Sequence, residues 1–284
     1  DGFNDEYNFF IIERLIKTML WVVGGYKIYI AGSHAIFNYI KSCYQKGGLR
    51  EFDYQFMSNV YEHEFEVIEC EYDNIPEEKS TSISIGGNLN GKRIGFDAGG
   101  SDIKISALLN NKNIYSEEII WFPKLNSDPN YHIEEIYNAM KKAIDKLGGD
   151  VDAIGVSSAG IYIDNKAKIA SLFIKINKDD FDKKIKSIYI DIVKRLEKEL
   201  YHPIALEVCN DGDVTALAGA LDLKDNSVLG IAMGTSEAVG YVDKNGNVLG
   251  WLNELAFAPI DFNKNSMIDI YVMNDLPIFT ENVL

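Results

Sequence analysis

Two glycine-rich turns, each lying between two apolar strand patterns, constrain this chain more than any other feature. The first turn is residues 97–101 (DAGGS), and the second is residues 234–236 (GTS). Glycine lets backbone N–H groups approach phosphate oxygens without an intervening Cβ, and a serine or threonine hydroxyl adds a donor. Either turn alone is also typical of an ordinary β-hairpin. Two such turns in one chain favour a pair of phosphate-binding loops that face one crevice.

Between the two turns, Asn210 and Asp211 follow an apolar strand pattern, and a helix of small residues at 214–221 comes next. A carboxylate at the carboxyl end of a buried strand can accept a proton from a substrate hydroxyl during phosphoryl transfer. Asp211 is therefore the candidate general base, and Asp213 is expected to cap the helix. The alternative is that either aspartate is only a helix cap.

The order of the predicted elements indicates the fold class. Apolar runs predict strands and periodic apolar positions predict helices in the order strand 93–97, strand 103–109, strand 114–122, helix 133–147, strand 151–156, helix 185–200 and strand 204–208. Strands that form a meander and then alternate with helices predict an α/β fold with a mixed sheet flanked by helices. Ahead of this region, an amphipathic helix at 8–22, a strand at 26–30 and a helix at 33–44 predict an N-terminal α/β extension.

Composition narrows the classes of partner. The 284 residues carry a formal net charge of −15, so a surface that binds nucleic acid is not expected. Three widely spaced cysteines form neither a disulfide framework nor a zinc knuckle, which favours a reducing cytoplasm. Charged residues interrupt the longest apolar stretch, so no membrane span is expected. A small neutral or metal-masked substrate fits this chain better.

The motifs together resemble a known family, the ROK sugar kinases of the actin/hexokinase/Hsp70 superfamily. The resemblance covers residues 91–260 and lies in DAGGS (97–101), SSAGIYID (157–164), NDGD (210–213), GTSEAVGYV (234–242) and NEL (253–255). It implies a ribonuclease-H-like, actin-like ATPase fold that binds ATP and Mg²⁺ and phosphorylates a sugar hydroxyl.

The resemblance also implies a role for each matched residue. The first phosphate loop would be Asp97, Gly99, Gly100 and Ser101, and the second would be Gly234, Thr235 and Ser236. Asn210 and Asp211 would bind the sugar, with Asp211 as general base, and Glu254 would hold sugar hydroxyls. The expected partner is a small-molecule sugar, with a homodimer as an open alternative and neither nucleic acid nor membrane.

Three departures from the family pattern bear on these expectations. Phe257 stands where the family has a histidine, and no cysteine follows Cys209, so the family's zinc site is not expected. The chain ends 30 residues after Glu254, where the family continues to its adenosine-binding segment. We therefore expect an extension at 1–90, a first ATPase domain at 91–208 and the start of a truncated second at 209–284.

A non-catalytic sugar-sensing relative or an activator ATPase of the same fold is the alternative function.

Overall fold

The structure is a computed structural model, and it describes residues 5–79, 82–84, 89–233, 237–259 and 261–263. The chain divides into two compact units. The first contains the described residues within Asp1–Ser82, Met233–Ala238 and Leu249–Leu284. The second contains those within Ile83–Ala232 and Val239–Val248. Residues 209–232 thus share a unit with residues 91–208, while the expected start of a second ATPase domain at 209 stays a prediction.

The first unit is a small α/β body. Its elements are α1 (Asp5–Val22), β1 (Lys27–Ala31), α2 (His34–Cys43), α3 (Glu51–Tyr61) and β2 (Glu66–Cys70), followed by a 3₁₀ turn at Tyr72–Asn74. Strands β1 and β2 pair in parallel, from Lys27 opposite Glu66 to Ala31 opposite Cys70. The helices predicted at 8–22 and 33–44 and the strand predicted at 26–30 are confirmed, and Ser33 caps α2 as expected. Helix α3 is not predicted by the sequence pattern.

A segment from far along the chain completes the first unit. The backbone N–H groups of Leu252, Asn253 and Glu254 donate to three successive carbonyls at and just beyond the end of α1, those of Val23, Val22 and Trp21, at 3.3, 3.0 and 3.0 Å. Phe257, in a 3₁₀ turn at Leu255–Phe257, then stacks on Trp21 with 4.4 Å between ring centroids. The rings of Phe52 and Phe56 lie against the same pair. Residues that precede the second unit in the chain and residues that follow it therefore share one aromatic core.

Helix α1 buries its charged residues. Glu13, Arg14 and Lys17 are each at most 2% exposed, whereas Leu15 is 49% and Met19 is 63% exposed. A buried charge needs a partner of opposite charge, and residues at the start of α3 supply partners for Glu13 and Lys17. Arg50 forms a two-point ion pair with Glu13, and Asp53 lies 3.9 Å from the Lys17 ammonium. The amphipathic helix is thus present with its charged side inward.

The second unit is built on a five-stranded mixed sheet with the strand order β10-β7-β4-β5-β6. Strands β4, β5 and β6 form an antiparallel meander, while β7 and β10 join β4 in parallel. The elements from β3 to α6 are β3 (Ser82–Ile83), β4 (Lys92–Ala98), β5 (Asp102–Leu109), β6 (Lys112–Ile120), α4 (Pro129–Lys146), β7 (Ala153–Ser158), β8 (Ile161–Ile163), β9 (Lys166–Ile169), α5 (Lys178–Asp180) and α6 (Ile188–Leu200). The chain continues with β10 (Ala205–Cys209), α7 (Asp211–Leu223), β11 (Val228–Met233), β12 (Glu237–Val242) and β13 (Val248–Leu249). Of strands β3, β11, β12 and β13, the second unit contains residues 83, 228–232, 239–242 and 248. The predicted fold class, an α/β fold with a mixed sheet flanked by helices, is confirmed.

The two faces of this sheet differ in character. One face packs on α4 and α6 through buried side chains such as Phe96, Val156 and Val208. Side chains alternate between faces along a strand, so the next residues, Asp97, Ser157 and Cys209, point to the other face. The register places Asp97 opposite Ser157 and Ser157 opposite Cys209, which makes them one row across three parallel strands.

Glycines let helix α7 lie directly on the strand pair β11–β12. A Cβ on Gly212 would come within 2.5 Å of the Val239 backbone, and a Cβ on Gly240 within 2.4 Å of Asp213 Cα. A Cβ on Gly230 would lie 2.5 Å from the Ala216 nitrogen. Backbone atoms cannot move aside as a flexible side chain can, so these contacts require glycine. None of the helices in the described ranges is both long and apolar enough to cross a membrane.

We expect Gly240→Ala to lower the free energy of unfolding by about 1–3 kcal/mol, because the added methyl would push α7 off β12. Chemical denaturation of the purified chain measures this change. Gly155→Ala is the matched control, since no atom lies within 4 Å of its added Cβ. Equal stability of the two variants would show that α7 does not pack this closely.

We also expect Phe257→His to lower the free energy of unfolding by about 1–3 kcal/mol, because it buries a polar ring among aromatic side chains. The control is Phe122→His, at a phenylalanine that is 56% exposed. Thermal and chemical unfolding compare the two variants. If Phe257→His unfolds like the wild type, the aromatic core described above is wrong.

Candidate functional site

The candidate site lies where three parallel strands of the second unit end. Ala98, the last residue of β4, pairs with Ser158 at the end of β7, and Ser157 pairs with Cys209 at the end of β10. Open α/β sheets bind ligands at this edge, beyond the carboxyl ends of their strands. The 99–101 turn follows β4, and Asn210 and Asp211 follow β10. The sheet thus brings the first turn and the candidate base to one edge.

Hydrogen bonds within the hairpin and from Trp121 hold the first turn in place. The Gly99 N–H donates to the Asp102 carbonyl at 2.9 Å, which closes the hairpin. The Trp121 indole, which is fully buried, donates to the Gly99 carbonyl at 2.8 Å. The Trp121 backbone N–H donates to the Ser101 carbonyl at 3.1 Å. The Ser101 hydroxyl is 3.2 Å from an Asp102 carboxylate oxygen and donates to it.

The two glycines of this turn have different roles. Neither Gly99 nor Gly100 has the positive φ that would require glycine. At Gly99, a Cβ would lie 2.8 Å from the Asp102 carbonyl oxygen, so the hairpin itself excludes a side chain. At Gly100, the nearest atoms to a Cβ are Cε and Nζ of Lys124, both at 3.6 Å. The fold does not demand glycine there, so Gly100 leaves the top of the turn open to a ligand.

Asn210 caps helix α7 with its side chain. Its Oδ1 accepts from the Gly212 N–H at 2.7 Å, and its Nδ2 donates to the Gly160 carbonyl at 2.7 Å. The expectation that Asp213 caps this helix is wrong, because asparagine caps as well as aspartate and stands at the position just before the first turn. The cap fixes Asn210 between two backbone segments, and one amide hydrogen is left for a ligand.

Asp211 is the first residue of α7, and its surroundings disfavour its charge. Burial raises the pKa of the Asp211 carboxyl above its ordinary value, and the negative charge of Asp97 raises it further. The backbone N–H groups of Asp211 and Gly212 act in the opposite direction, since they stabilise the carboxylate. A carboxylate with a raised pKa is a stronger proton acceptor, which is what a general base needs.

A buried hydroxyl network lies beneath the two carboxylates. Ser158 Oγ is 2.7 Å from the Tyr162 hydroxyl and accepts from the Tyr189 hydroxyl at 3.1 Å. Burial raises the pKa of Tyr189 to about 12, and it raises the pKa of Tyr162 well above its usual range. Asp97 adds to the shift at Tyr189 and Asp211 to that at Tyr162. The network ties the end of β7 to α6, and of its three residues only Ser158 and Tyr162 lie in the SSAGIYID motif.

Four further residues were predicted to belong to the site. Gly234, Thr235 and Ser236 fall outside the described residues, so the second turn and its proximity to the first stay predictions. Glu254 belongs to the first unit, where its N–H donates to the Trp21 carbonyl at 3.0 Å. The second unit therefore contains Asp97, Gly99, Gly100, Ser101, Asn210 and Asp211. Their roles as ligand-binding residues stay predictions.

The first unit has a pocket of its own. It has a volume of about 590 Å³ and lies where β1 and β2 end, lined by Gly32, Ser33, His34, Glu69, Cys70, Glu71 and Asn74. The His34 ring donates from Nδ1 to the Glu69 carboxylate at 2.9 Å. With two glutamates in its wall, the pocket is suited to hydroxyl-rich or cationic groups rather than to phosphate. The sequence pattern gave no signal for it.

Across the part of the chain that the structure describes, no group of three or more His, Cys, Asp or Glu side chains could hold a metal ion. A magnesium ion usually needs only one or two protein carboxylates together with phosphate oxygens and water. Asp97 and Asp211 are of the right chemistry for that role. The absence of a zinc site stays a prediction.

Solved structures similar to this chain include sugar kinases and a regulator. The ROK hexokinase from Thermus thermophilus is 21% identical, with 55% of this chain and 47% of that chain covered and a TM-score of 0.39. The hexokinase from Schistosoma mansoni complexed with glucose is 13% identical, with 63% and 46% covered and a TM-score of 0.40. A ROK family transcriptional regulator, a homologue of the E. coli MLC protein, is 16% identical, with 57% and 38% covered and a TM-score of 0.41.

This chain spans less than half the length of each of these three solved structures. No protein-family model matches the chain, and no curated protein does. At these identities and TM-scores, the similarity by itself assigns no activity.

We expect Asp211→Asn to make the protein more stable at pH 7. The folded-state pKa of Asp211 is raised, so its contribution to stability is greatest below the ordinary value of 3.8 and is lost as the pH rises through the folded-state pKa. Asparagine cannot ionise and avoids that loss. Denaturant unfolding at pH 7 and at pH 3 should show a gain at pH 7 that shrinks at pH 3.

Asp222→Asn, an exposed position on the same helix, is the control and should change stability little at either pH. A loss of stability at pH 7 for Asp211→Asn would contradict the proposed cost of burying its charge.

Proposed function

We propose that this protein is a ROK-type, ATP-dependent sugar kinase that phosphorylates a sugar hydroxyl. The observation that carries the proposal is the juxtaposition of the open 99–101 turn and the half-buried Asp211 at one edge of the sheet. A kinase needs both a place for the phosphates and a proton acceptor for the attacking hydroxyl. Cytoplasmic location and a homodimer belong to the same proposal.

The first turn would receive the nucleotide phosphates. Gly100 leaves its backbone open, and the hydrogen bonds from Trp121 hold the turn in place without a ligand. Such preorganised donors need no rearrangement when charge develops on the transferring group. The second turn, Gly234, Thr235 and Ser236, would hold the phosphates from the other side. A bound Mg²⁺ would supply charge neutralisation at the phosphates, and Asp97, which lies just before the turn, is a carboxylate that would hold it.

Asp211 would take the proton of the sugar hydroxyl. Because burial and Asp97 raise its pKa, protonation of Asp211 costs less than it would in water. Asn210 would orient the sugar with its remaining amide hydrogen, while its cap keeps the Asp211 backbone fixed. Glu254 would hold further sugar hydroxyls. Closure of lobes around the substrates would then exclude water.

A non-catalytic sugar-sensing relative is the second candidate. It is favoured by Phe257, whose ring lies in the aromatic core of the first unit and so replaces a sugar-binding histidine with a packing residue. The two candidates share sugar binding and differ in phosphoryl transfer. An assay that measures both therefore separates them.

We expect Asp211→Asn to lower the rate of phosphoryl transfer by about 10²–10⁴-fold, the usual contribution of general acid–base catalysis. Sugar-dependent release of ADP from MgATP, measured over a panel of hexoses and acetylated hexosamines, tests this. Affinity for ATP should stay near that of the wild type, because the phosphate turns do not include Asp211.

Asp213→Asn is the matched control, two residues further along the same helix. If Asp213→Asn is the more damaging substitution, the base is assigned wrongly. If the wild type binds a sugar but releases no ADP, the sensing function replaces the kinase.

A further inference from the structure

Lys124 lies over the first turn. Its Cε and Nζ atoms are each 3.6 Å from the position that a Cβ on Gly100 would occupy. That position is on the open side of the turn, where the fold itself does not require glycine. The lysine side chain is exposed, so its ammonium group can meet a ligand from solvent.

The backbone around Lys124 is held on both sides. Trp121 bonds to the turn through its indole and its N–H. The Phe122 N–H donates to the Tyr131 hydroxyl at 2.9 Å, and its carbonyl accepts from the Asn126 side chain at 2.8 Å. The buried His132 ring lies 3.0 Å from the Pro123 carbonyl. The backbone of Lys124 is therefore already ordered, and only its side chain needs to be ordered when a ligand binds.

The charges around the turn call for a cation. Asp97 lies just before the turn and repels a phosphate group, whereas the charge of Asp102, which follows the turn, is offset by Lys104. Lys104 lies 3.1 Å from the Asp102 carboxylate and is therefore already neutralised. Within the described ranges, Lys124 forms no ion pair or hydrogen bond with another side chain. Its charge is thus available for an anion at Gly100.

We propose that Lys124 binds the phosphate oxygens of a nucleotide seated on the 99–101 turn. A lysine ammonium is a point charge with three donors, which suits a phosphate group without a fixed orientation. The inference rests on the proposed kinase function for the identity of the ligand. It adds a residue from a loop that no motif of the chain contains.

The test compares Lys124→Gln with Lys112→Gln, which removes the same charge at the opposite end of the β5–β6 hairpin. Calorimetry measures the Kd of MgATP, MgADP, adenosine and inorganic pyrophosphate for each variant. We expect Lys124→Gln to weaken MgATP by about tenfold, the usual scale for a hydrogen bond to a charged group. MgADP should weaken less and adenosine not at all, and Lys124→Arg should restore most of the affinity. Thermal unfolding should be unchanged, since the side chain is exposed.

Each outcome decides. If the wild type binds MgATP and Lys124→Gln binds it equally well, or if adenosine weakens as much as MgATP, Lys124 does not contact phosphate and the kinase proposal stands without it. If the wild type binds pyrophosphate through Lys124 but does not bind MgATP, the anion site stands and the kinase proposal fails. If the wild type binds neither, both are overturned.

Discussion

The parallel pairing of β4, β7 and β10 is the constraint on which the candidate site depends. It aligns the ends of three strands that are distant in the chain, and it sets Asp97, Ser157 and Cys209 in one row on the sheet face away from α4 and α6. A slip of one residue would turn each side chain to the opposite face and bury Asp97 among Phe96's neighbours, which is why a buried face fixes the register so firmly. Asp97 and Asp211 lie at the same edge of the sheet because packing on the opposite, buried face fixes the register of the strands.

The same edge owes its electrostatics to the way α7 is seated. Gly212 and Gly240 let the helix and β12 meet backbone to backbone, and the Asn210 cap attaches the helix to the Gly160 carbonyl between β7 and β8. These contacts draw Asp211 out of solvent and toward Asp97, and burial is the larger cause of its raised pKa. Packing of apparently inert small residues thus sets the proton affinity of the candidate base. A looser seat would leave Asp211 hydrated and its pKa ordinary.

The sequence predicted those elements whose formation depends on neighbouring residues in the chain. The strands of the meander, the amphipathic helices and the turn after Asp97 follow from periodicity and turn chemistry, and the structure confirms those elements. What failed depends on partners distant in the chain. Charged residues of α1 are inside because Arg50, 37 positions beyond Glu13, forms its ion pair there. Asparagine and aspartate are both good caps. Asn210 rather than Asp213 caps α7, and the Asn210 amide is held in place by its hydrogen bond to the Gly160 carbonyl. No local pattern could show that Lys124 stands over Gly100.

The first unit raises a separate point about Glu254. Its backbone continues the hydrogen bonding of α1, and Phe257 shares an aromatic core with Trp21 and Phe52. The residues before the sheet and those after it therefore form one body, and neither set can bury its apolar surface without the other. Because the position of Glu254 is set by α1, the placement of any ligand group that it contacts depends on the N-terminal segment as much as on the matched motif. Residues 5–79 are in this sense part of the structural support of a predicted sugar contact, although no family motif lies within them.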